Sequence, residues 1–544
     1  MTLRTWASGA VDPLGADVRA TVVVACLVLL GLALLWAFVL VSAQEDDPER
    51  LYIADRSLSP VFNGSAVAGE QISVLTLLAV PGGIALFGYD GYLYAIDILV
   101  AFGVLLLLAQ KIRNSGRYTL GGLFSLRASG AAPRVAASLV TLIVTIPILA
   151  IQLRAAGITT AFLVGMSTPG AQIVCTVLMA FLVACFAGVA DLRGLGFMHV
   201  IKVPLALVTL AVVSFLALKQ FEWDPGSVLS AAVNKSAAPQ QYLSGGIWSD
   251  ATTLGAFNLI GDHLVVILGT AVAPHLILRI SASRTGRSAR RSMSTAVGLS
   301  GVYTVLLIAT GFAAAAVVGS GAISAVDADG QSSPILLASA VLPDHPTARI
   351  VLVTVMACLV FLSVLTTVAS VAFAAAVSFA HDVYAKASRA ERSGTGEVWA
   401  LRLAVAVLCA AALSVSAATV HHPFEFLMTF SMSVAASCIF PVLIYSFFWR
   451  RFNRTGLLWC VYGGLSACVV LMACSSFVSG TDYALFPQAG FNWYPFLTPG
   501  LISVPTAFLL GWLGSRRSPG QSEAEFRRDE YKLLTGEDAR PRGR

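Results

Sequence analysis

The chain has 544 residues, 57% hydrophobic and 12% charged, with 35 Lys and Arg against 29 Asp and Glu and a mean hydropathy of +0.81. An average soluble domain is about 25% charged, so this composition excludes a soluble enzyme, a disordered chain and a nucleic-acid binder. All nine cysteines fall in apolar runs without metal-ligand spacing and read as small packing residues.

A membrane-crossing helix needs about 20 apolar residues, because the hydrocarbon core is roughly 30 Å thick and a helix rises 1.5 Å per residue. About thirteen such runs follow one another by that measure. They lie near 19–43, 64–89, 91–110, 134–164, 171–189, 197–218, 254–280, 293–319, 349–379, 398–420, 424–449, 455–477 and 496–515, and are called spans 1 to 13. Barrel-type alternation does not occur, so the fold class is all-α polytopic membrane protein. Span 1 is too long for the apolar segment of a cleaved signal and is kept as a span. Residues 1–515 read as one transmembrane domain. Residues 516–544 read as a polar cytoplasmic tail, expected to be poorly ordered.

Alternate connections are basic: Lys111, Arg113, Arg117, Arg127 and Arg134; Arg279, Arg284, Arg287, Arg290 and Arg291; Lys386, Arg389 and Arg392; Arg450, Arg451 and Arg454. The positive-inside rule then places the N-terminus outside and the C-terminus in the cytoplasm. Of the two long external connections, 219–253 and 320–348, the first contains Trp223, Tyr242 and Trp248 and reads as a linker rather than a gate. Two spans carry helix breakers at mid-depth: Pro81, Gly82 and Gly83 in span 2, and Gly261, Gly269 and Pro274 in span 7. Each heads a group of five spans, which fits either an inverted-repeat transporter whose sites lie at broken helices or the ordinary abundance of Gly and Pro in membrane helices.

Five segments carry a resemblance to a known family. They are Asn63 to Ser73 (NGSAVAGEQIS), Asp90 to Ile96 (DGYLYAI), Gly269 to His275 (GTAVAPH) with Arg279, His381 to Tyr384 (HDVY), and Ala436 to Pro441 (ASCIFP). In this order and spacing the chain resembles the sodium/solute symporter family, and within it the cation/acetate branch, from about Tyr52 to about Ala473. The resemblance implies a leucine-transporter-like fold. Residues 64–218 and 254–449 would be the two repeats, 19–43 an extra helix before them and 455–515 two helices after. It implies uptake of a small monocarboxylate of the acetate, propionate or pyruvate class, with sodium as the transported coupling ion and no organic cofactor. It also implies a sodium site made by Gly69 and Ile72 carbonyls on span 2, the Ser363 carbonyl, and the Thr366 and Thr367 hydroxyls on span 9. Ser363, Thr366 and Thr367 share one helix face, and oxygen ligands suit a small hard cation.

Ionisable groups at membrane depth are functional candidates by default. Glu70, Asp97, Asp262 and His263 form the expected coupling or charge network. Arg154 stands where the acetate branch usually has a neutral residue. A buried guanidinium needs a partner, either the substrate carboxylate or, favoured, a structural pair with Asp97, Glu70 or Asp262. Lys202 reads as a snorkelling interface anchor. Depth and polarity nominate Gln71, Ser73, Thr76, Tyr94, Gln152, Arg154 and Asn258 for the substrate. Membrane lipid is the surrounding partner, and nothing points to an enzyme. Three readings compete: the same fold moving an amino acid or another organic solute, coupling to protons, and a transporter-like membrane sensor. The tail of about 30 residues is short for a sensor's output domain.

Overall fold

The computed structural model describes residues 14–42, 47–166, 168–247, 252–385, 394–420 and 422–537. Trp248, Lys386, Arg389, Arg392 and residues 538–544 lie outside the described residues. The architecture is helical throughout. The spans are Ala16–Ser42, the pair Pro60–Gln71 and Leu75–Phe87, Tyr89–Asn114, Ala131–Val164, Pro169–Val189, Leu192–Gln220, Thr253–Ser281, Gly286–Val317, Pro346–Ala385, Gly394–Ala418, Phe424–Phe448, Arg454–Ala473 and Gly500–Arg516. Among the described residues, 11 are single helices long and apolar enough to cross a membrane, and the bent pair makes a twelfth. Gly500–Arg516, at 17 residues, is slightly shorter.

Span 2 breaks earlier than Pro81 and Gly82 predict. The first half ends at Gln71, Ile72 leaves the helical region at φ −79°, ψ 77°, and the second half starts at Leu75 with a 60° bend. Pro81 instead sits in the first turn of the helix Val80–Phe87, where a missing N–H is tolerated. Gly82 and Gly83 are approach points: a Cβ on Gly82 would lie 2.4 Å from the Gly330 carbonyl oxygen, and one on Gly91 would lie 2.3 Å from the Gly83 carbonyl carbon. Span 7 is interrupted more gently at Val272 and Ala273, between Thr253–Ala271 and Pro274–Ser281. Gly269 accepts the Val272 amide at 3.3 Å, and Pro274 opens the second half.

Two segments are more ordered than their composition suggests. The 219–253 connection is a packed cap, not a linker. It contains the helix Pro225–Asn234, N-capped by Asp224. Beyond that helix, the Tyr242 hydroxyl donates to the Ile84 carbonyl at 2.8 Å, and the Tyr242 carbonyl accepts the Tyr89 amide at 2.8 Å. The described part of the tail, residues 516–537, also folds. Ser522 and Glu525 form a reciprocal capping box at the start of Glu523–Thr535. Asn114 donates to the Leu533 carbonyl at 3.0 Å, Arg127 pairs with Asp529 at 3.1 Å, and Leu533 is buried.

Gly88 joins spans 2 and 3 at φ +57°, and a Cβ there would meet the Tyr242 carbonyl oxygen at 2.0 Å. Gly88→Ala should therefore destabilise the protein by about 1–3 kcal/mol, from backbone strain plus overpacking. Gly103→Ala, with open space at its Cβ, should change stability by less than about 0.5 kcal/mol. Equal thermal-unfolding shifts for the two purified variants would refute the cap contact.

Candidate functional site

The break in span 2 holds itself open through local polar groups. The Ser73 amide donates to Thr76 Oγ1 at 3.0 Å and the Thr76 amide donates to Ser73 Oγ at 3.2 Å. Thr76 Oγ1 in turn donates to the Gln71 carbonyl, and the Tyr303 hydroxyl of span 8 lies 3.3 Å from it. The Ser73 and Thr76 hydroxyls nominated for substrate are thus engaged in shaping the break. Gln71 ends the first half-helix.

Span 9 meets the break through Val364–Val368, a wide π turn, a distortion often found at functional positions. It brings Thr366 and Thr367 together, and both are fully buried. Thr367 Oγ1 donates to the Ile72 carbonyl at 3.2 Å, and the Gly69 carbonyl accepts the Ile72 amide at 3.1 Å. The Ser363 hydroxyl is buried, with no hydrogen-bond partner among the described residues. The five residues expected to hold sodium are therefore gathered on two touching elements.

An amino group already stands among them. Lys202 of span 6 is fully buried, and its Nζ lies 2.9 Å from both Thr366 Oγ1 and Thr367 Oγ1. It does not snorkel. Its span begins at Leu192, where Asp191 caps the Gly194 amide at 2.8 Å, about five residues before the start read from hydropathy. Ten residues at 1.5 Å put Lys202 roughly 15 Å into the helix. The Asp191 cap was the sequence signal that could have found it.

The charge network divides in two. Glu70 pairs with Arg279 of span 7, Oε1 to Nε 2.7 Å, and accepts from Ser370 of span 9 at 2.7 Å. His199 Nε2 of span 6 lies 3.3 Å away. Arg279 also donates to the Leu192 carbonyl at 3.0 Å. It is fully buried rather than part of a basic loop. Separately, Asp97 of span 3 contacts His263 Nδ1 of span 7, and Tyr94 donates to Asp262 at 3.4 Å.

Arg154 joins neither group. It donates to the Thr419 and His422 carbonyls at 2.9 and 2.7 Å and stacks 4.3 Å over the Phe424 ring. None of Asp97, Glu70 or Asp262 is its partner in these bonds, because it sits over the link between spans 10 and 11. It lines a cavity of about 660 Å³ with Thr159, Gln172, Asp327, Asp329 and Gln331, away from both breaks. Burial, with Asp327 nearby, pushes the Asp329 carboxyl up to about 6. Asn258 accepts the Leu497 amide at 2.8 Å. Gln152 is buried in span 4, and its Oε1 has no hydrogen-bond partner among the described residues.

Sequence reasoning also missed a hub at Asp382. Its carboxylate accepts from Thr119 at 2.8 Å and the Gly121 amide at 3.2 Å, and pairs with Arg134 at 3.1 Å. These bonds tie the C-terminal end of span 9 to the connection between spans 3 and 4 and to Arg134 in the first turn of span 4. His381 beside it touches Tyr118 at 2.9 Å and Glu397 at 3.0 Å. The His-Asp-Val-Tyr segment was the available signal.

This is the architecture of a membrane transporter, and residues 51–464 match the sodium:solute symporter family. The chain belongs to that family. It is 30% identical over 498 residues, 89% of both chains, to a "Monocarboxylic acid transporter" of Corynebacterium glutamicum. It is 29% identical to the "Uncharacterized symporter YwcA" of Bacillus subtilis, over 94% of this chain and 97% of that one. A solved Na+-coupled sialic acid symporter superposes with a TM-score of 0.71 at 14% identity, covering 92% of this chain and 98% of that one. The fold is thus the leucine-transporter-like fold of sodium symporters.

Removing one partner of a buried ion pair strands the other charge, at a cost of about 3–5 kcal/mol. Arg279→Met should therefore destabilise the protein more than Glu70→Gln with Arg279→Met. A double-mutant cycle on thermal or denaturant unfolding reads this, and additive effects would show that the pair is not energetically coupled.

Proposed function

We propose that this chain is a secondary active symporter that takes up a small monocarboxylate of the acetate, propionate or pyruvate class by alternating access. The observation that carries the substrate class is the similarity to the Corynebacterium monocarboxylic acid transporter, which extends over nearly nine-tenths of both chains. Residues 64–218 and 254–449 form the proposed repeats, rocking about the two breaks. Gln71, Tyr94 and Gln152 are the proposed substrate contacts, because Gln152 offers an unsatisfied buried oxygen and Gln71 stands at the break.

An inward cation gradient drives the cycle. Membership of the sodium:solute symporter family supports sodium as that cation, and the Gly69–Ile72 and Ser363–Thr367 segments are proposed as a pocket for a positive charge. The bacterial relatives support placement in a bacterial inner membrane, and the basic connections support an outside N-terminus and cytoplasmic C-terminus.

Purified protein reconstituted in liposomes, given sodium or proton gradients separately, should accumulate labelled acetate, propionate or pyruvate. Gln152→Leu should raise the carboxylate concentration for half-maximal uptake about tenfold or more, the worth of one buried hydrogen bond to a charge. Uptake of none of the carboxylates rejects the substrate class. Equal uptake with no gradient rejects symport.

A further inference from the structure

The cation pocket between spans 2 and 9 contains a cationic side chain. We propose that the Lys202 amino group is a built-in occupant of this pocket, standing in for sodium, so that this chain binds no sodium there. The inference rests on reading that pocket as the cation place.

The hydrogen-bond directions leave no vacancy at the two hydroxyls. Thr366 Oγ1 spends its proton on the Leu362 carbonyl at 2.8 Å, and Thr367 Oγ1 spends its proton on the Ile72 carbonyl at 3.2 Å. Both hydroxyls therefore turn lone pairs toward Nζ, which lies 2.9 Å from each. Those are the lone pairs a sodium ion needs. The approach of span 6 is also fixed close to the break. A Cβ on Gly69 would lie 2.6 Å from the His199 Cβ, one turn before Lys202, so only glycine lets the two helices meet at this distance.

Charge acts in the same direction as occupancy. A hard cation held by the same hydroxyls at roughly 2.4 Å would lie within about 5 Å of Nζ. When the amine holds its proton, two unit charges at that separation and an effective dielectric of about 20 weaken binding by about a few hundredfold; when it does not, occupancy of the hydroxyl lone pairs is the obstacle that remains. The nearest carboxylate, Glu70, is already matched by Arg279, so it does not offset a second cation. A tethered amine bridges spans 6 and 9 as an ion would bridge spans 2 and 9, but it does not leave with the substrate. Any sodium that drives uptake must then enter elsewhere.

Saturable binding of radioactive sodium to the purified full chain tests this without reading carboxylate uptake, so its failure is separable from failure of the substrate assignment. Wild type should show no sodium binding that Thr366→Ala with Thr367→Ala removes. Lys202→Ala should gain sodium affinity by about a hundredfold or more, and adding the two threonine substitutions should abolish the gain. Threonine-sensitive sodium binding by wild type overturns the proposal, as does a folded Lys202→Ala that gains none. If Lys202→Ala does not fold, wild type against the threonine pair decides alone. Sodium binding that the threonines do not affect leaves this pocket to Lys202 and supports the proposal.

Discussion

A helix broken inside a membrane leaves backbone groups that no water can satisfy, and in hydrocarbon each orphan costs several kcal/mol. The arrangement around span 2 follows from this constraint. Ser73 and Thr76 exchange hydrogen bonds with each other's amides, Thr367 reaches across to the Ile72 carbonyl, and the Gly69 carbonyl is closed by the Ile72 amide. The wide turn Val364–Val368 brings span 9 to this junction. What resembles a polar binding site is thus first the set of partners that makes an unwound backbone tolerable. Function depends on which of those partners can exchange.

The same elements place charges that would be prohibitive alone. Glu70 bonds Arg279 and Ser370 and lies beside His199, so spans 2, 6, 7 and 9 share one carboxylate. Spans 2 and 7 are the two broken spans, one at the head of each proposed repeat. An ion pair between the first half of span 2 and the second half of span 7 couples the two breaks directly, and a shift in either requires the other to follow or the pair to open. Asp382 does comparable work at the C-terminal end of span 9, holding Thr119, Gly121 and Arg134 around one carboxylate. Both Asp382 oxygens are satisfied by protein groups, whereas Glu70 Oε2 and His199 Nδ1 are buried with no hydrogen-bond partner among the described residues.

Much of the fold is legible in the sequence because apolar length is a local property. Twelve crossing units, with Gly500–Arg516 after them, follow the order that hydropathy predicts. The errors have two causes: local helix caps were passed over, at Asp191 and Ser522, and pairing is set by contacts distant in sequence. Lys202 was misplaced because the start of span 6 was read about five residues late, and at 1.5 Å per residue that is more than a full helical turn. Arg279 looked like the first residue of a basic loop, yet its carboxylate partner is 209 positions away. Pro81 and Gly82 express a local breaking tendency, whereas the bend at Ile72 is fixed by bonds to spans 8 and 9. The tail looked disordered by composition, but its capping box and the buried Leu533 give it both a helix start and a docking point.

Arg154 and Lys202 show how an unusual charge should be weighed. Both are cations in apolar helices, and Arg154 is the one that departs visibly from the acetate branch. Its donors end on two backbone carbonyls beyond span 10, groups left open where a helix terminates. That is a capping role, and it gives no reason to change the substrate class. Lys202 looks unremarkable in sequence but reaches the two hydroxyls that resemblance assigns to an ion. Around the break, the formal charges then sum to one carboxylate against one guanidinium and one amine. Glu70 and Arg279 already balance each other, so a protonated amine is one positive charge in excess and a sodium ion beside it would be a second. What holds the amine there is the pair of hydroxyl acceptors, and the same two acceptors cannot also serve an ion.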